Sequence, residues 1–532
     1  MVPRSANLRS AAPTLAAIGA ILAIGALLRG PGLRWGDPYV YHPDEWMIAR
    51  HAMTMVATTD WNPHTFVYPS VLLELHAGLV ALLHGARPTT LAVGQPWLYE
   101  GEFLPQQFRY ILAGRMLVSL MGISTILVVF ETGRRLVGIV GGLAAAAILA
   151  VLPLAVEHAH YLTTDVPVAF LCASCLLATV IAAQAGRLRW WVLAGLLAGL
   201  AGSTKWNGLL VVGVPLLALV ATRLGERPAL STVVERDVVV KGLAIVVAAV
   251  IGLVGATPGI AFAPSEVGAW LALLTDFYRI PDPRQTEGSL GFNLGALVAG
   301  LGPVLAWSFA GMAVVALRSW TEPRMRAAIT IPVFILVYLV AVSLPARHYE
   351  RNLLPILPYL AIAGGIATAT LVGWARNRPL RGIRRPRFAT GLVAIALVAC
   401  LVLPASASVA ITNAMRGPDT RLLARAWVLD QVPSGTTIAR EAYTPQFGSR
   451  EYHVRGSYFL HQHTLDDYRS LGVRYLIASS RTYDRFVDMP GAVEESAFYH
   501  ALFALPEVFR VDPEPGRRGP TVRIFRLDPI PD

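Results

Sequence analysis

Long apolar runs constrain this chain more than any other feature. A helix of about 20 apolar residues spans the ~30 Å hydrocarbon core of a bilayer. The sequence therefore predicts a mainly α-helical, polytopic membrane protein with about eleven transmembrane helices. The runs lie at residues 11–28, 109–132, 138–157, 166–185, 190–204, 207–222, 241–262, 292–317, 327–345, 353–374 and 388–411.

The composition agrees with a membrane protein, because 55% of the 532 residues are hydrophobic and only 15% are charged. An ordinary water-soluble globular protein needs a larger share of charged surface. The net charge of +11 does not indicate nucleic-acid binding. The arginine clusters lie between apolar runs, where cytosolic loops of membrane proteins carry positive charge.

Charge placement predicts the topology. Run 11–28 follows Arg4 and Arg9 without a small-residue cleavage site, so we expect an uncleaved first span with a cytosolic N-terminus. Segment 71–83 is too short to cross, and we expect it to lie along the membrane surface as an interfacial helix within a long external loop, residues 30–108. If segment 71–83 does not cross the membrane, the arginine clusters are cytosolic, as the positive-inside rule requires. The clusters are at 134–135, 187–189, 223–227, 318–326 and 376–387.

Two domains follow from this map: a transmembrane domain, residues 1–412, and a C-terminal domain, residues 413–532. An odd number of spans puts the second domain outside the cell membrane, and its composition becomes charged and aromatic. Its residue patterns predict an α/β fold. The expected elements are a helix at 421–431 and strands at 437–439, 473–477 and 522–525.

Acidic residues stand in two turns that this topology places outside. Asp44 and Glu45 lie in His42-Pro43-Asp44-Glu45, just after the first span. Asp165 follows His158 and His160 between two later spans. Helix capping would account for Asp165 alone, since Asp suits a position directly before a Pro-containing first turn. Two histidines and a second acidic group on the same face favour a functional site instead.

Cationic residues stand in two further external turns. Lys205 is one of two lysines in the chain and lies at the outer end of a span, against the positive-inside trend. His348 and Arg351 share a short turn near residue 350. Snorkelling of Lys205 and a structural Arg–Glu pair are the alternatives. Together these side chains suit a phosphate, because an arginine offers a planar fork to phosphate oxygens.

The outer face thus collects carboxylates and cations near the ends of membrane helices. Cations can hold the phosphate of a lipid-linked donor while a carboxylate takes a proton from an attacking hydroxyl or amine. This combination predicts transfer of a group from a phosphorylated lipid.

Several motifs resemble, in order, those of the GT-C membrane glycosyltransferases of family 39, which include protein O-mannosyltransferases and the lipid A aminoarabinose transferase. The likeness covers about residues 1–375. The motifs are His42-Pro43-Asp44-Glu45, Tyr68-Pro69-Ser70, Gly114-Arg115-Met116-Leu117-Val118-Ser119, Gly133-Arg134-Arg135-Leu136, Thr164-Asp165-Val166-Pro167, the stretch from Gly199 to Lys205, and Arg351-Asn352-Leu353-Leu354-Pro355.

The resemblance implies an inverting transfer of a sugar from a polyprenyl-phosphate donor on the non-cytosolic face of the cell membrane. It implies Asp44 as the general base, with Glu45 and Asp165 shaping the site. Lys205, His348 and Arg351 would face the donor phosphate, and His42, His158 and His160 are candidate substrate-site residues.

We expect the reaction to need no cofactor, because Lys205 and Arg351 would bind the donor phosphate. Carboxylates with nearby histidines could nevertheless accept a divalent metal. The expected partners are the polyprenyl-phosphate sugar, membrane lipid and an acceptor that is a lipid, a polymer or a protein. A secondary membrane transporter is the alternative, since that class also places ionisable groups near broken helices. The chemistry-bearing residues gather in outward loops rather than at mid-span, which favours the glycosyltransferase.

Overall fold

Helices dominate the computed structural model, which describes residues 4–85, 107–226, 229–282, 285, 287–377, 386–448 and 450–527. The helices are α1 (Arg4–Arg29), α2 (Pro43–Thr58), α3 (Val71–His84), α4 (Phe108–Val137), α5 (Ile139–Ala150), α6 (Pro153–His158), α7 (Asp165–Ala185), α8 (Leu188–Gly202), α9 (Gly213–Glu226), α10 (Arg236–Gly255), α11 (Gly259–Phe262), α12 (Pro264–Arg279), α13 (Ser289–Leu301), α14 (Pro303–Arg318), α15 (Thr330–Ser343), α16 (Leu357–Asn377), α17 (Pro386–Arg416), α18 (Thr420–Gln431), α19 (Leu465–Ser470), α20 (Ser480–Tyr483) and α21 (Val493–Phe503). The strands are β1 (Thr437–Arg440), β2 (His453–Gly456), β3 (Tyr475–Ser479), β4 (Glu507–Val511) and β5 (Val522–Arg526). Short 3-10 helices occupy Trp206–Val212, Leu230–Val234, Pro323–Ile329, Glu350–Ile356 and Leu460–Gln462.

The membrane-spanning class is confirmed. Among the described residues, eight helices are long and apolar enough to cross a bilayer, or up to nine if α13 and α14, bent by 105°, count as one broken span. Helices α5 and α8 also coincide with predicted spans, but they have only 12 and 15 residues. The count of eleven therefore stays a prediction. The eight helices are Ala12–Arg29, Phe108–Val137, Asp165–Ala185, Trp206–Glu226, Arg236–Gly255, Pro323–Ser343, Glu350–Asn377 and Thr390–Arg416.

Small residues let α8 pack closely on α10. A Cβ added at Gly199 would stand 2.0 Å from the carbonyl oxygen of Ala249, and one at Gly195 would stand 2.3 Å from that of Ile245. Contacts of this kind let backbones approach within a membrane, where hydrophobic association is weak. The opposite side of α10 exposes apolar side chains such as Ile251, which is 61% exposed, as a lipid-facing surface does.

Helix α3 forms where the sequence predicts an interfacial helix. Its last turn exposes Leu82 and Leu83, while Leu72 and Leu73 are buried. Its position at the membrane surface stays a prediction. Two parts of the predicted topology, residues 86–106 of the long loop and 378–385 of the arginine run, lie outside the described residues.

The C-terminal domain contains a five-stranded mixed sheet in the order β2-β1-β3-β5-β4. Strand β1 runs parallel to both β2 and β3, whereas β5 runs antiparallel to β3 and β4. Asp419 caps the N-terminus of α18, because its side chain accepts a hydrogen bond from the backbone N–H of Arg421. The predicted α/β character is confirmed, and α18, β1, β3 and β5 lie where the sequence placed them.

Polar contacts dock this domain onto the membrane helices. The indole Nε1 of Trp35 donates to Asp419 over 3.2 Å, and Arg518 pairs with Glu157 at 2.9 Å. The guanidinium of Arg421 lies 4.0 Å from the centre of the Tyr41 ring. Since these partners come from the first loop and from the end of α6, the domain covers the end of the bundle that carries the predicted external turns.

Candidate active site

A cavity of about 730 Å³ opens between the ends of the membrane helices and the C-terminal domain. That volume lies in the range of small-molecule sites. The predicted external turns after α1, α8 and α15 all contribute to its wall. Its lining residues are His42, Pro43, Asp44, Val67, Tyr68, Lys205, Trp206, Asn207, Leu274, Phe277, Tyr278, Asp282, Ala341, Val342, Pro345, Arg347, Tyr349, Arg351, Asn352, Tyr443, Tyr458, Arg481 and Arg485.

Asp44 lies in the first turn of α2, where Pro43 opens the helix. A carboxylate is favoured at this end by the helix dipole, and proline at the first helical position lacks an N–H that would have no partner there. Its Oδ2 accepts from Arg351 Nη1 at 2.8 Å and from Tyr68 Oη at 3.2 Å. The side chain is 18% exposed, so Asp44 is both held in place and open to the cavity.

Asp165 and Lys205 form a second, more deeply buried pair. Lys205 Nζ lies 2.6 Å from Asp165 Oδ1 and 2.8 Å from Asn352 Oδ1. The Asp165 side chain is only 1% exposed, and that of Lys205 is 10% exposed. Lys205 reaches the cavity while Asp165 stands behind it.

Tight packing fixes the backbone around Lys205. The residue is extended, with φ −151° and ψ 132°, between the end of α8 and the 3-10 helix Trp206–Val212. Gly208 allows this turn, because a Cβ there would lie 2.3 Å from the carbonyl oxygen of Ala201. Arg351 and Asn352 open the 3-10 helix Glu350–Ile356 on the facing side.

Two of the predicted histidines lie beside this centre. His42 lines the cavity, and its ring centre is 4.7 Å from that of Tyr161. Burial lowers the pKa of His42, so the ring is neutral at pH 7. Burial also lowers the pKa of His158 to about 4, against the opposing charge of nearby Asp165. His158 does not line the cavity.

Glu45 is placed differently from the prediction. It is fully buried and receives two hydrogen bonds of 2.7 Å from Arg115. The backbone N–H of Leu162 donates to it over 2.8 Å. Successive helical side chains point about 100° apart, so Glu45 turns into the protein where Asp44 faces the cavity. Glu45 connects the start of α2 to α4 through its ion pair with Arg115 and does not line the cavity.

His160 and His348 are also turned away from the cavity. The ring nitrogens of His160 lie 2.9 and 3.0 Å from the carbonyl oxygens of Val156 and Pro31. His348 is 2% exposed, and its Nδ1 lies 3.0 Å from Ser289 Oγ. Their partners are the protein's own polar groups, so the structure gives both histidines packing roles rather than contact with substrate.

Several cavity residues escaped the sequence analysis. Tyr68 was noted only as part of a motif, although its hydroxyl contacts Asp44. Arg347 lines the cavity, with its guanidinium 4.0 Å from the Phe277 ring centre. Its place in the same short turn as Arg351 was the available signal. The wall from the C-terminal domain had no sequence signal, because the docking of that domain is a tertiary feature.

The side chains present do not fit a divalent metal as they stand. Asp44 and Asp165 each already hold a cationic side chain. Among the residues that the structure describes, no three histidine, cysteine, aspartate or glutamate side chains converge as metal ligands.

Comparison with known proteins gives the class. Residues 107–251 match the family of dolichyl-phosphate-mannose-protein mannosyltransferases. No curated protein matches the chain in sequence.

Solved structures with the same fold are membrane glycosyltransferases. The apo oligosaccharyltransferase of Archaeoglobus fulgidus has a TM-score of 0.55 and 13% identity, over 91% of this chain and 72% of that one. The same archaeal enzyme, AglB, in complex with an inhibitory peptide and a dolichol-phosphate has a TM-score of 0.54 and 14% identity, over 94% and 73%. ArnT from Cupriavidus metallidurans in the apo state has a TM-score of 0.53 and 16% identity, over 97% and 98%.

The fold is therefore the GT-C fold, and the chain is a multi-pass membrane glycosyltransferase. The match to the mannosyltransferase family model extends from α4 into α10. The predicted class is confirmed, and the transporter alternative finds no support among these matches.

Proposed function

We propose that the protein transfers a sugar from a polyprenyl-phosphate carrier to an acceptor on the non-cytosolic face, with Asp44 as general base. The observation that carries the proposal is the position of Asp44: a carboxylate open to the cavity, oriented by Arg351 and Tyr68. A general base must reach the proton that it removes, and the exposure of Asp44 to the cavity supports this role.

The reaction is a single displacement at the anomeric carbon. The acceptor hydroxyl or amine loses its proton to Asp44 as its oxygen or nitrogen bonds to the sugar. The bond between the anomeric carbon and the phosphate oxygen breaks, and polyprenyl phosphate leaves with the electron pair. Attack from the side opposite the leaving group inverts the configuration.

Lys205 and Arg351 keep hydrogen-bonding capacity for the leaving phosphate. An ammonium has three donors and a guanidinium five. Lys205 uses donors on Asp165 and Asn352, while Arg351 contacts Asp44 through Nη1. Both residues line the cavity, so their remaining donors can stabilise charge that develops on the phosphate. This arrangement supports catalysis without a cofactor.

Asp44 is favoured over Asp165 as the base because of access. The Asp44 side chain is 18% exposed and lines the cavity, whereas Asp165 is 1% exposed and lies behind Lys205. An acceptor can therefore approach Asp44 without displacing protein. We assign Asp165 the role of holding the Lys205 ammonium.

The carrier lipid is supported by a relative of the same fold, since the archaeal AglB was solved with a bound dolichol-phosphate. The external face is supported by the positive-inside rule, which places the arginine clusters on the opposite side. Sugar and acceptor are not specified by these observations.

The experiment is incubation of the purified protein with a panel of polyprenyl-phosphate sugars and a membrane extract as the acceptor source. Release of free polyprenyl phosphate is the readout. The two lysines provide a matched pair, because Lys205 lines the cavity whereas Lys241 pairs with Asp237 at 2.6 Å. We expect release by the wild type and Lys241→Ala and loss of release in Lys205→Ala. Equal activity of the two lysine variants would contradict the proposed donor site.

A further inference from the structure

The C-terminal domain supplies one wall of the cavity, and that wall consists of tyrosine and arginine side chains. Tyr443, Tyr458, Arg481 and Arg485 all line it. Arg485 Nε donates to the carbonyl oxygen of Arg481 at 3.1 Å, and its Nη1 lies 3.4 Å from Tyr458 Oη. Each guanidinium lies 5.9 Å from the centre of the Tyr443 ring. Arg481 in α20, Arg485 in the turn that follows it and two tyrosine rings therefore face one space.

In the residue ranges that the structure describes, Arg481 and Arg485 lack the carboxylate ion pairs that the cations at the membrane end of the cavity form. Lys205 and Arg351 each hold a carboxylate. Within the described part of the chain, no carboxylate lies within ion-pair distance of Arg481 or Arg485. Enclosure by protein lowers the pKa of Arg481, and the positive charges of Arg421 and Arg518 lower it further. Asp282, which also lines the cavity, lies within electrostatic range of Arg485. Among the described residues, the two arginines therefore present positive charge to the cavity without a direct ion pair.

The backbone beside the arginines is held in an unusual conformation. Tyr443 has φ +61°, which is uncommon for a residue with a bulky side chain and is found where surrounding structure enforces it. Thr482 Oγ1 donates to the carbonyl oxygen of Ala442 at 2.9 Å, and Thr444 Oγ1 donates to that of Glu441 at 2.6 Å. These bonds fix the segment that carries the Tyr443 ring into the cavity.

We propose that Arg481 and Arg485 form an oxyanion subsite that binds a phosphate or carboxylate group of the acceptor. The inference rests on the proposed function, because it gives the acceptor of that reaction a chemical class. A guanidinium fork matches the geometry of an oxyanion. The acceptor is then an anionic molecule, held by its charged group at the C-terminal domain while its nucleophile meets Asp44.

The position of the domain assigns this subsite to the acceptor rather than to the donor. A polyprenyl tail stays in the hydrocarbon, so its phosphate lies near the membrane helix ends, where Lys205 and Arg351 stand. The domain wall belongs to the soluble part of the chain. His42, two residues before Asp44, lies within electrostatic range of both Arg351 and Arg481. Asp44 therefore shares one cavity with both groups of cations, and the proposal assigns one group to each substrate.

The direct test is a 31P NMR titration of inorganic phosphate into the purified full-length protein, which needs no turnover. We expect at least a ~10-fold loss of phosphate affinity in Arg481→Gln and in Arg485→Gln, the range for a charge-assisted hydrogen bond. Arg481→Lys keeps the charge and should bind with intermediate affinity. Arg455, an exposed arginine of the same domain outside the cavity lining, provides the control Arg455→Gln, which should bind like the wild type. Thermal unfolding verifies that each variant is folded.

A second titration, in the presence of saturating polyprenyl phosphate, shows whether the arginines bind an anionic group of the acceptor or the phosphate of the carrier lipid. Phosphate that still binds in an Arg481-dependent manner supports an acceptor subsite. Displacement of phosphate, with weaker polyprenyl phosphate binding in Arg481→Gln, assigns the arginines to the carrier and overturns the proposal. Wild-type affinity in both glutamine variants overturns it as well. Failure of the transferase itself would appear separately, as absent polyprenyl phosphate release with phosphate binding intact.

Discussion

At the scale of single residues, a cation beside each carboxylate determines what the acidic side chain does. Asp44 Oδ2 accepts hydrogen bonds from Arg351 and Tyr68, and the side chain remains open to the cavity. Asp165 is buried, and one of its oxygens, Oδ2, has no hydrogen-bond partner among the described residues. It therefore depends on Lys205 for compensation of its charge. Removing one member of a buried pair is costly, because the other is left as an isolated charge.

We expect the effects of substituting Asp165 and Lys205 on the free energy of unfolding to be non-additive. Lys205→Met should destabilise the protein by about 3–5 kcal/mol, because Asp165 stays buried without its cation. Adding Asp165→Asn should recover much of that loss, since the neutral amide needs no counter-charge. Thermal unfolding in detergent measures both variants. Additive losses in the double variant would show that the two side chains do not compensate each other.

The sequence predicted which turns meet at the cavity, but it did not predict which side chains within a turn face it. The roles assigned to the residues of these turns stay predictions. Asp44, Lys205 and Arg351 were placed at one end of the bundle by the topology alone, and all three line the cavity. Glu45 and His348 sit next to cavity residues in sequence but point into the protein. Their orientation depends on partners such as Arg115, which lie far away along the chain.

At the scale of elements, the position of Lys205 depends on how α8 packs against α10. Gly199 touches the backbone of α10, and α8 ends three residues before Lys205. A side chain at Gly199 must push the two helices apart, and the cavity end of α8 would move with them.

Gly199→Ala should therefore lower stability by about 1–3 kcal/mol, the usual cost of overpacking, and should reduce transfer activity. Gly242→Ala on α10 is the matched control, because nothing lies within 4 Å of a Cβ there. Thermal unfolding and polyprenyl phosphate release are the measurements. Equal behaviour of the two variants would show that the close contact between α8 and α10 is not required.

Within the C-terminal sheet, Glu441 gives the domain a pH-dependent stability. Its carboxyl is fully buried and accepts from Ser479 N and Tyr499 Oη, both at 2.7 Å. Burial raises the pKa of Glu441 from 4.5 to about 8. Between these values the folded state keeps a proton that the unfolded state releases. Stability is thus fully present below about pH 4.5 and declines as the pH rises towards 8.

Glu441→Gln should remove this contribution, because the amide does not titrate. We expect the wild type to lose more stability than the variant between pH 5 and pH 8, as measured by the midpoint of chemical denaturation of the C-terminal domain. The comparison uses the slope against pH, so a constant loss of hydrogen bonding in the variant does not affect it. Parallel pH profiles would contradict a protonated Glu441.

Sequence patterns located most of the elements but not their ends or edges. The length of the apolar runs predicted the long helices, and α18, β1, β3 and β5 were found from local patterns. Strand β2 was missed, because it has only four residues at the sheet edge and none of them is buried, so the sequence carries no apolar run there. Short helices such as α5 were predicted too long, since composition alone does not show where a helix breaks.

At the scale of the whole molecule, the active-site cavity needs both domains. The membrane domain supplies Asp44, Lys205 and Arg351, and the C-terminal domain closes the other side. The fold class could be predicted from the sequence, because the bilayer imposes run lengths that are visible in composition. The domain contact could not, since Arg518 and Glu157 meet across 361 positions of sequence.

The proposed external position of this cavity predicts a labelling pattern. In a background with Cys400→Ser, a cysteine replacing Arg455 should react with a membrane-impermeant thiol reagent added to intact cells. A cysteine replacing Arg187, which is exposed between α7 and α8, should react only after the membrane is opened. The expectation follows from the positive-inside rule. The reverse pattern would place the cavity on the cytosolic side and contradict the proposed face.

The central claim is that Asp44 accepts the proton of the acceptor, and its replacement by asparagine tests it most directly. Asp44→Asn keeps the shape and removes the basicity, so turnover of a polyprenyl-phosphate sugar should fall by at least ~100-fold while donor binding and thermal stability persist. Asp276→Asn, at an exposed carboxylate paired with Arg279, is the control and should keep wild-type turnover. Near-normal turnover in Asp44→Asn together with its loss in Asp165→Asn would contradict the account and transfer the role of base to Asp165.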